Sequence, residues 1–491
     1  MSLGSILSVA RGAIFAHQTA SAVVAQNIAN AETEGYSRQR ANLITGIPTQ
    51  MPYGAIGTGV VVSGVTRMRS EALDVNYRSQ ASGLAGATVR QDVLTEVQGI
   101  FGEPQDQGLA DALDKFWSAW SDLSNSPSNG PAQAVVRQRG ANLSAMLNQY
   151  ASRLTEVTTN TAATLQSNIT TANQLATQVA SLNDEITSAE SGGVQAPDLR
   201  DQRDRVADQL AKLTGARAMS QANGTYSIVI GGTTIVDGSN ARPMSVSKTG
   251  NTYGVTVGTS PDAVQALGGE AGAMVTLLNT DLPAVGGKLD ALAKGLVDGV
   301  NYLHRQGWTA AGEQLQTARG VTMNWDPTLG ATGPGIDFFD ASHVDAASIA
   351  LSADVLADSS VIASGITQNG PADNSLALQM AALRDGTGMQ SLSGSLGSNP
   401  IVGSNVSSTT SYAEFYRGVV TQLGLDTAAA STAFSASDAL TSQAATRREQ
   451  VFGVSMDEEL TNLMRHQQAF SAAAKLVSTV DEMMQTVLEM V

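Results

Sequence analysis

Residues 455–491 read SMDEELTNLMRHQQAFSAAAKLVSTVDEMMQTVLEMV, and the spacing of their apolar side chains decides the architecture. With Leu460 at heptad position a, the a line holds Leu460, Gln467, Ala474, Asp481 and Leu488, and the d line Leu463, Phe470, Val477, Met484 and Val491. Eight of those ten are apolar over more than four heptads, the pattern of a helix built to lie along another helix. Its start is also legible. Ser455 and Glu458 stand at capping-box spacing, and Asp457, Glu458 and Glu459 crowd the positive end of the helix dipole.

The opposite end of the chain mirrors this one. Leu3, Ile6, Leu7, Ala10, Ala13, Ile14, His17, Ala20, Val24 and Ile28 recur at steps of three and four, one apolar stripe that Gly35 brings to a close. A single stripe suits an ordinary core helix. Its presence at both extremities predicts two terminal helices that pair with each other. A pair of helices leaves apolar surface over, and helices draw most of their stability from such packing, so neighbouring subunits are expected to cover the rest.

Inside these ends, Arg38–Ile44 and Gly59–Val65 read as strands joined by a Gly/Pro-rich loop, with helices expected over about 70–98 and 109–124. After Pro131, as far as Glu190, there is no further proline and one glycine, Gly140, with apolar steps from Leu143 to Val179. One helix of about 55 residues follows, far above the globular mean, and with it an elongated body. Beyond Ala216 the period changes to two. Thr225–Ile230, Thr233–Val236, Arg242–Ser247 and Thr252–Val257 are predicted strands of an antiparallel meander, separated by Gly231-Gly232, Asp237-Gly238 and Thr249-Gly250-Asn251. A helix over about 272–306 is expected to break near Pro283 and Gly286-Gly287. After it come a loop over 307–335, a strand over Ala347–Ser352, a flexible Ser/Gly/Asn-rich stretch over 391–410 and a helix over Tyr412–Phe452.

Composition narrows the function. The 491 residues carry a formal net charge of −16, and only 6 of the 28 basic residues are Lys. No basic cluster is available to neutralise phosphates, which argues against nucleic-acid binding and against docking on anionic lipid. Without a single Cys, thiol nucleophiles, iron–sulfur clusters and Cys-based zinc sites are excluded. His17, His304, His343 and His466 share no metal-type spacing. No apolar run of about 18 residues occurs, so no membrane insertion is expected. The first charge is Arg11, and polar residues interrupt the N-terminal stripe, so no cleaved leader is predicted. Gly54-Ala55-Ile56-Gly57-Thr58-Gly59 fits a hairpin loop and no phosphate loop. Asp198, Asp201, Asp204 and Asp208, interleaved with Arg200, Arg203 and Arg205, are expected to form ion pairs along a solvated helix face. No motif points to catalysis, and no metal or cofactor is implied.

One string is distinctive as a string. Asn27-Ile28-Ala29-Asn30-Ala31-Glu32-Thr33-Glu34-Gly35-Tyr36-Ser37-Arg38-Gln39 resembles the N-terminal signature of bacterial flagellar axial proteins, and Tyr36-Ser37-Arg38-Gln39 looks like the version of the hook-associated FlgK family. Ser455 to Leu460, Arg465 to Phe470 and Asp481 to Met484 resemble that family's closing motif, and Asp198-Leu199-Arg200-Asp201-Gln202-Arg203-Asp204 its DLxDQRD block. Glu34 departs from the Pro common in the family. The position shapes only a turn.

The resemblance implies a mainly α fold with β, organised as a terminal-helix core (1–36 and 455–491), a long-helix middle domain with a β-hairpin (37–195 and 345–454) and a variable outer domain with the meander (196–344). It implies a non-enzymatic subunit of the extracellular hook–filament junction, exported unfolded through the flagellar type III apparatus after transient chaperone cover in the cytoplasm. Expected partners are hook protein, the next hook-associated protein and further copies in a helical ring. Another axial component, hook protein or flagellin, is the nearer alternative, and an axial wall-cleaving hydrolase the more distant. The seam residues, for assembly and chaperone alike, are Leu3, Leu7, Ile14, Val24, Ile28, Leu460, Leu463, Phe470, Val477, Met484 and Leu488. Residues 1–30 and 456–491 are expected to be poorly ordered until neighbours cover them.

Overall fold

A computed structural model of the chain describes residues 3–51, 54–102, 108–308, 336–367, 370–396, 398–402 and 409–489. The fold is mainly helical with small antiparallel sheets, as the sequence predicts. It divides into two compact units, the first made of Met1–Thr88, Leu165–Ala273 and Phe434–Val491, the second of Val89–Thr164 and Met274–Ala433.

In the first unit, α1 (Leu3–Ala29) leads into β1 (Gln39–Thr45). Next come β2 (Thr49–Met51), β3 (Gly54–Ile56) and β4 (Val60–Arg67). β1 and β4 pair antiparallel with a bulge between Asn42 and Leu43, and the Gly/Pro-rich loop folds into the small β2–β3 hairpin. α2 (Glu71–Phe101) and α4 (Gly130–Ala189) supply residues to both units. The 60 residues of α4 form one helix, as the proline-free stretch predicts, with Leu165, Ile169, Ala172, Ala176 and Val179 buried along one face. α5 (Pro197–Thr214) begins on proline and ends at Gly215 with φ +71°.

The meander is larger than its four predicted strands. β5 (Arg217–Ser220), β6 (Tyr226–Ile230), β7 (Thr233–Asp237) and β8 (Asn240–Ala241) form one sheet in that order. β9 (Met244–Thr249) and β10 (Thr252–Val257) pair separately. Two asparagines of α4 fasten these strands by their backbone. The Asn183 side chain donates to Tyr226 O and Gly238 O and accepts from Tyr226 N, while Asn173 bonds both Met244 N and Met244 O.

The second unit has α3 (Leu109–Asn125), α6 (Gly269–Thr276) running on into α7 (Leu282–His304), and the short α8 (Ala353–Ala357). α9 (Ser375–Ala382), α10 (Gly386–Leu396) and α11 (Tyr412–Phe452) complete it; α6 and α11 reach across into the first unit's residues. Its core is aromatic. Phe116, Trp117, Trp120, Phe338, Phe339 and Tyr412 are fully buried, and Trp117 stacks on Tyr412 at 5.4 Å. Asn301 holds the incoming strand-like segment by bonding Phe338 N, Phe339 N and Phe339 O.

Three local expectations are corrected. No break occurs at Gly286-Gly287, and the chain passes Pro283 through a π turn over Leu277–Asp281, because proline near the start of α7 sits where its missing N–H is tolerated. Ala347–Ser352 is not a strand. Asp345 O gathers Ser348 N and Ile349 N into a turn, leaving one bridge between Leu351 and Phe339. Of the stretch read as flexible, 391–396 belongs to α10, while 397 and 403–408, like the loop at 309–335, lie outside the described residues.

Candidate functional site

The first unit joins the two chain ends. α12 (Met456–Glu489) packs along α1, and His17 meets His466 while Asn27 meets Glu459, so the helices run antiparallel. The buried face of α1 is Ala10, Ala16, Ala20, Val23, Val24 and Asn27, mostly small side chains that let another helix come close. α1 also lies against β1 and β4. A Cβ on Gly12 would come within 3.1 Å of Val60 O.

The seam residues divide. Val24 is buried, and Leu3, Ile14, Ile28, Leu463 and Val477 are half-buried. Leu7, Phe470 and Met484 are exposed, and so are Leu460 at 46% and Leu488 at 74%. The predicted d line is half-buried at Leu463 and Val477 but exposed at Phe470, and the a line is one residue out of register: Glu459, Ala473 and Val480 are buried and His466 touches α1. Large apolar side chains drew the heptad frame onto Leu460 and Leu488, whereas close packing uses the smaller residues beside them. Met484 and Leu488 are bare for a second reason. His466 faces His17, which stands 14 residues from the start of α1, so the helix past Val480 has no α1 left to cover it.

Between the helices sits a polar latch built by the signature string. Gly35, with φ +75°, makes the turn; a Cβ there would stand 2.6 Å from the Arg205 stem. Asn27 is buried and fully used. Its Nδ2 donates to Gln39 O and Glu459 Oε2, each at 2.9 Å, and its Oδ1 accepts from Gln39 N and the Tyr36 hydroxyl. The next residues then reach different elements. Ser37 donates through N and Oγ to the Asp201 carboxylate at 2.9 and 2.7 Å. Arg38 donates its N–H to Phe452 O and its guanidinium to buried Glu459 at 2.8 Å and exposed Glu458 at 2.9 Å. Gln39 Nε2 reaches Asp198 Oδ1 at 2.8 Å. Burial, and then Asp198, Asp201 and Glu459, hold the Tyr36 hydroxyl well above its usual pKa. The capping box is thus half realised: Ser455 Oγ accepts weakly from Glu458 N at 3.5 Å, and the Glu458 carboxylate is spent on Arg38.

Below the latch lies a buried charge network that corrects the reading of the Asp198 block as a solvated face. Asp201 and Asp204 are buried, and their partners come from other elements. Arg67 contacts Asp201 at 2.5 Å and Asp204 at 2.8 Å, Arg69 bonds Asp74, and Arg78 bonds Asp204 and Asp208. Arg448 joins Asp208 at 2.6 Å to Asp74 at 3.2 Å. Of the interleaved arginines, Arg200 pairs with Glu190, and Arg203 turns away to Asn183 and lies 3.7 Å over the Tyr226 ring. Burial alone would raise the pKa of Asp204; Arg69, Arg67 and Arg78, with the Tyr226 hydroxyl at 2.5 Å, overcome it and hold the carboxyl far below its usual range. Burial and the Asp204 charge push Tyr226 up to about 12.

These groups neutralise one another across several elements, so the arrangement is a fastening. Among the described residues no group of three or more His, Asp or Glu could hold a metal ion, and no helix is long and apolar enough to cross a membrane. Periodicity did not reveal Glu459 and His466, although polar residues one place from a predicted seam are the signal that could have. Outside the contact, α12 presents Leu460, Met464, Leu476, Met483, Val487 and Leu488 to solvent.

Comparison with known proteins agrees along the chain. Residues 94–317 match the family described as flagellar hook-associated protein FlgK helical domain, 451–490 the flagellar basal body rod FlgEFG protein C-terminal family, and 7–36 the flagella basal body rod protein family. Flagellar hook-associated protein 1 of Bacillus subtilis is 28% identical, with 98% of this chain and 97% of that protein covered. Its namesake in Salmonella typhimurium is 24% identical over 99% and 100%. The solved flagellar hook junction protein FlgK of Burkholderia pseudomallei shares the fold, with a TM-score of 0.59 at 14% identity over 79% of this chain and all of that one.

Proposed function

We infer that this chain, which belongs to the FlgK family of flagellar hook-associated proteins, is a structural subunit of the flagellum at the hook–filament junction. It works by packing, and we propose that it carries no catalytic activity. The observation that carries the mechanism is that the terminal helices are locked together by Asn27, Arg38 and Glu459 while Leu460, Met464, Leu476, Met483, Val487 and Leu488 of α12 stay exposed, the last of them in turns past the end of α1. Bare apolar area of this kind gains about 25 cal/mol per Å² when buried. The occupants we propose are further copies of the chain in a ring, hook protein on one side and the next hook-associated protein on the other.

Poorly ordered in the free subunit, where their pairing opens and closes, the segments 1–30 and 456–491 become fixed as they assemble, their conformational entropy offset by intersubunit burial. Before that, the chain passes the type III export apparatus unfolded, and a chaperone covers the α12 face in the cytoplasm by the helix-in-groove mode. The mature location is extracellular. In the assembled subunit the terminal helices form the innermost layer, the long helices the middle layer and the meander the outermost.

The test is complementation of a deletion strain with Leu488→Asp and Leu476→Asp, two exposed positions whose loss leaves the latch intact. Soluble, folded subunit with hooks bearing no filament is the expected result. Normal motility and filament retention with both substitutions together would remove the α12 face from the mechanism.

A further inference from the structure

His17 on α1 and His466 on α12 meet across the terminal helix pair, Nδ1 to Nδ1 at 3.2 Å, with ring centroids 5.5 Å apart. Two imidazole nitrogens at that separation share one proton: one ring donates, and the other must be neutral to accept. A second proton would set two N–H groups and two positive charges against each other.

The surroundings offer a second charge no relief. α1 carries no carboxylate; its other charge is Arg11, which lies over Phe15 at 5.5 Å. On α12, Arg465 is adjacent to His466, and the carboxylate one heptad back, Glu459, is already taken by Arg38 and Asn27. Arg38, just before β1, and Arg40 of β1 line the same recess as His466, together with Glu459. β4, which also packs on α1, contributes Arg67, engaged by Asp201 and Asp204. Arg465 thus stands beside the pair, and the carboxylate in its recess, Glu459, is bonded to Arg38 and Asn27.

We propose that the His17–His466 contact is a proton-sensitive clasp, which closes the terminal helix pair while at least one ring is neutral and loosens it as the medium acidifies. Burial first, then His17 and Arg465, hold His466 below the ordinary imidazole value. The sign follows. The closed pair binds fewer protons than the separated helices, whose histidines take theirs near pH 6.5, so the pairing is fully stable above neutrality and weakens as pH falls through about 6.5. The proposal rests on the geometry of the pair and not on the flagellar assignment.

Titration of the imidazole resonances of the full chain from pH 5 to 8, assigned with His17→Gln and His466→Gln, tests it. The His466 resonance is expected to titrate below the ordinary imidazole value and to move back toward it in His17→Gln. In parallel, hydrogen-exchange protection of residues 10–27 and 459–480, corrected for intrinsic rates, is expected to fall about fivefold or more between pH 7.5 and 5.5. That fall should shrink to within about twofold in His466→Gln, whose amide can bond without titrating. A His466 ring that titrates at the free-imidazole value whether or not His17 is present, or an undiminished pH effect in His466→Gln, would overturn the clasp.

Discussion

Asp204→Asn isolates the charge network that fastens α5 to the strands and helices around it. The substitution keeps the shape of the side chain and removes one negative charge from a cluster in which Arg67, Arg69, Arg78 and Arg448 face Asp74, Asp201, Asp204 and Asp208. The Asp204 side chain is fully buried, and the three arginines in contact with it are at most 10% exposed, so water cannot replace the lost carboxylate. The new amide also turns one acceptor into a donor aimed at guanidinium or phenol hydrogens. Breaking a buried ion pair from one side costs about 3–5 kcal/mol. Asp201 and Asp208 remain to take up part of the charge, so about 3 kcal/mol is expected. With an m-value of about 3 kcal/mol/M, that moves the urea midpoint of the first unit by about 1 M, followed by hydrogen exchange in α5 and β6.

The wild type should also lose stability as pH falls below the ordinary carboxylate range, near 4. There the unfolded chain takes up a proton that the depressed Asp204 refuses, and the variant should show a flatter acid limb. Asp340→Asn, at an exposed turn of the second unit, is the control and should leave the urea midpoint of the first unit unchanged. A loss below about 1 kcal/mol in Asp204→Asn, or an unchanged acid limb, would refute the assignment of the network as the main fastening of the DLxDQRD-like block.

Two further outcomes are expected. Gly35→Ala forces a Cβ into the left-handed turn and against the Arg205 stem, at a cost of about 1–3 kcal/mol; combining it with Arg205→Ala should recover the steric part, and simple additivity in thermal melts would sink that account. His304 is buried; its Nε2 accepts from Ala363 N, so the neutral ring donates from Nδ1 to Ile336 O, and burial lowers its pKa to about 4. The folded ring stays neutral where the unfolded one protonates, so the second unit should lose stability as pH falls from about 6.5 to 4. Trp117 and Trp120 fluorescence should report that loss, and His304→Gln should flatten it.

Local order was legible in the sequence because its causes are local. The proline-free run that becomes α4, the boundaries of α11, the Gly-punctuated strands β6, β7, β9 and β10, and the pairing of two striped ends all follow from periodicity and turn chemistry within a few residues. The errors share another cause. Asp201 and Asp204 could be placed on one helix face, but a charged face reads as solvated until residues more than 100 positions away, Arg67, Arg69 and Arg78, are brought onto it. The heptad frame favoured Leu460 and Leu488 because it weighs side-chain size, while contact geometry weighs how closely two backbones approach.

The sequence by itself determined the long helices, the strands β6, β7, β9 and β10, and that the two ends would meet. Only the tertiary structure decided the register of that meeting, the burial of Glu459 beside Asn27 and Arg38, and the juxtaposition of His17 with His466. Periodicity specifies a direction around a helix axis, whereas the partner standing in that direction is set by where a distant piece of chain comes to rest.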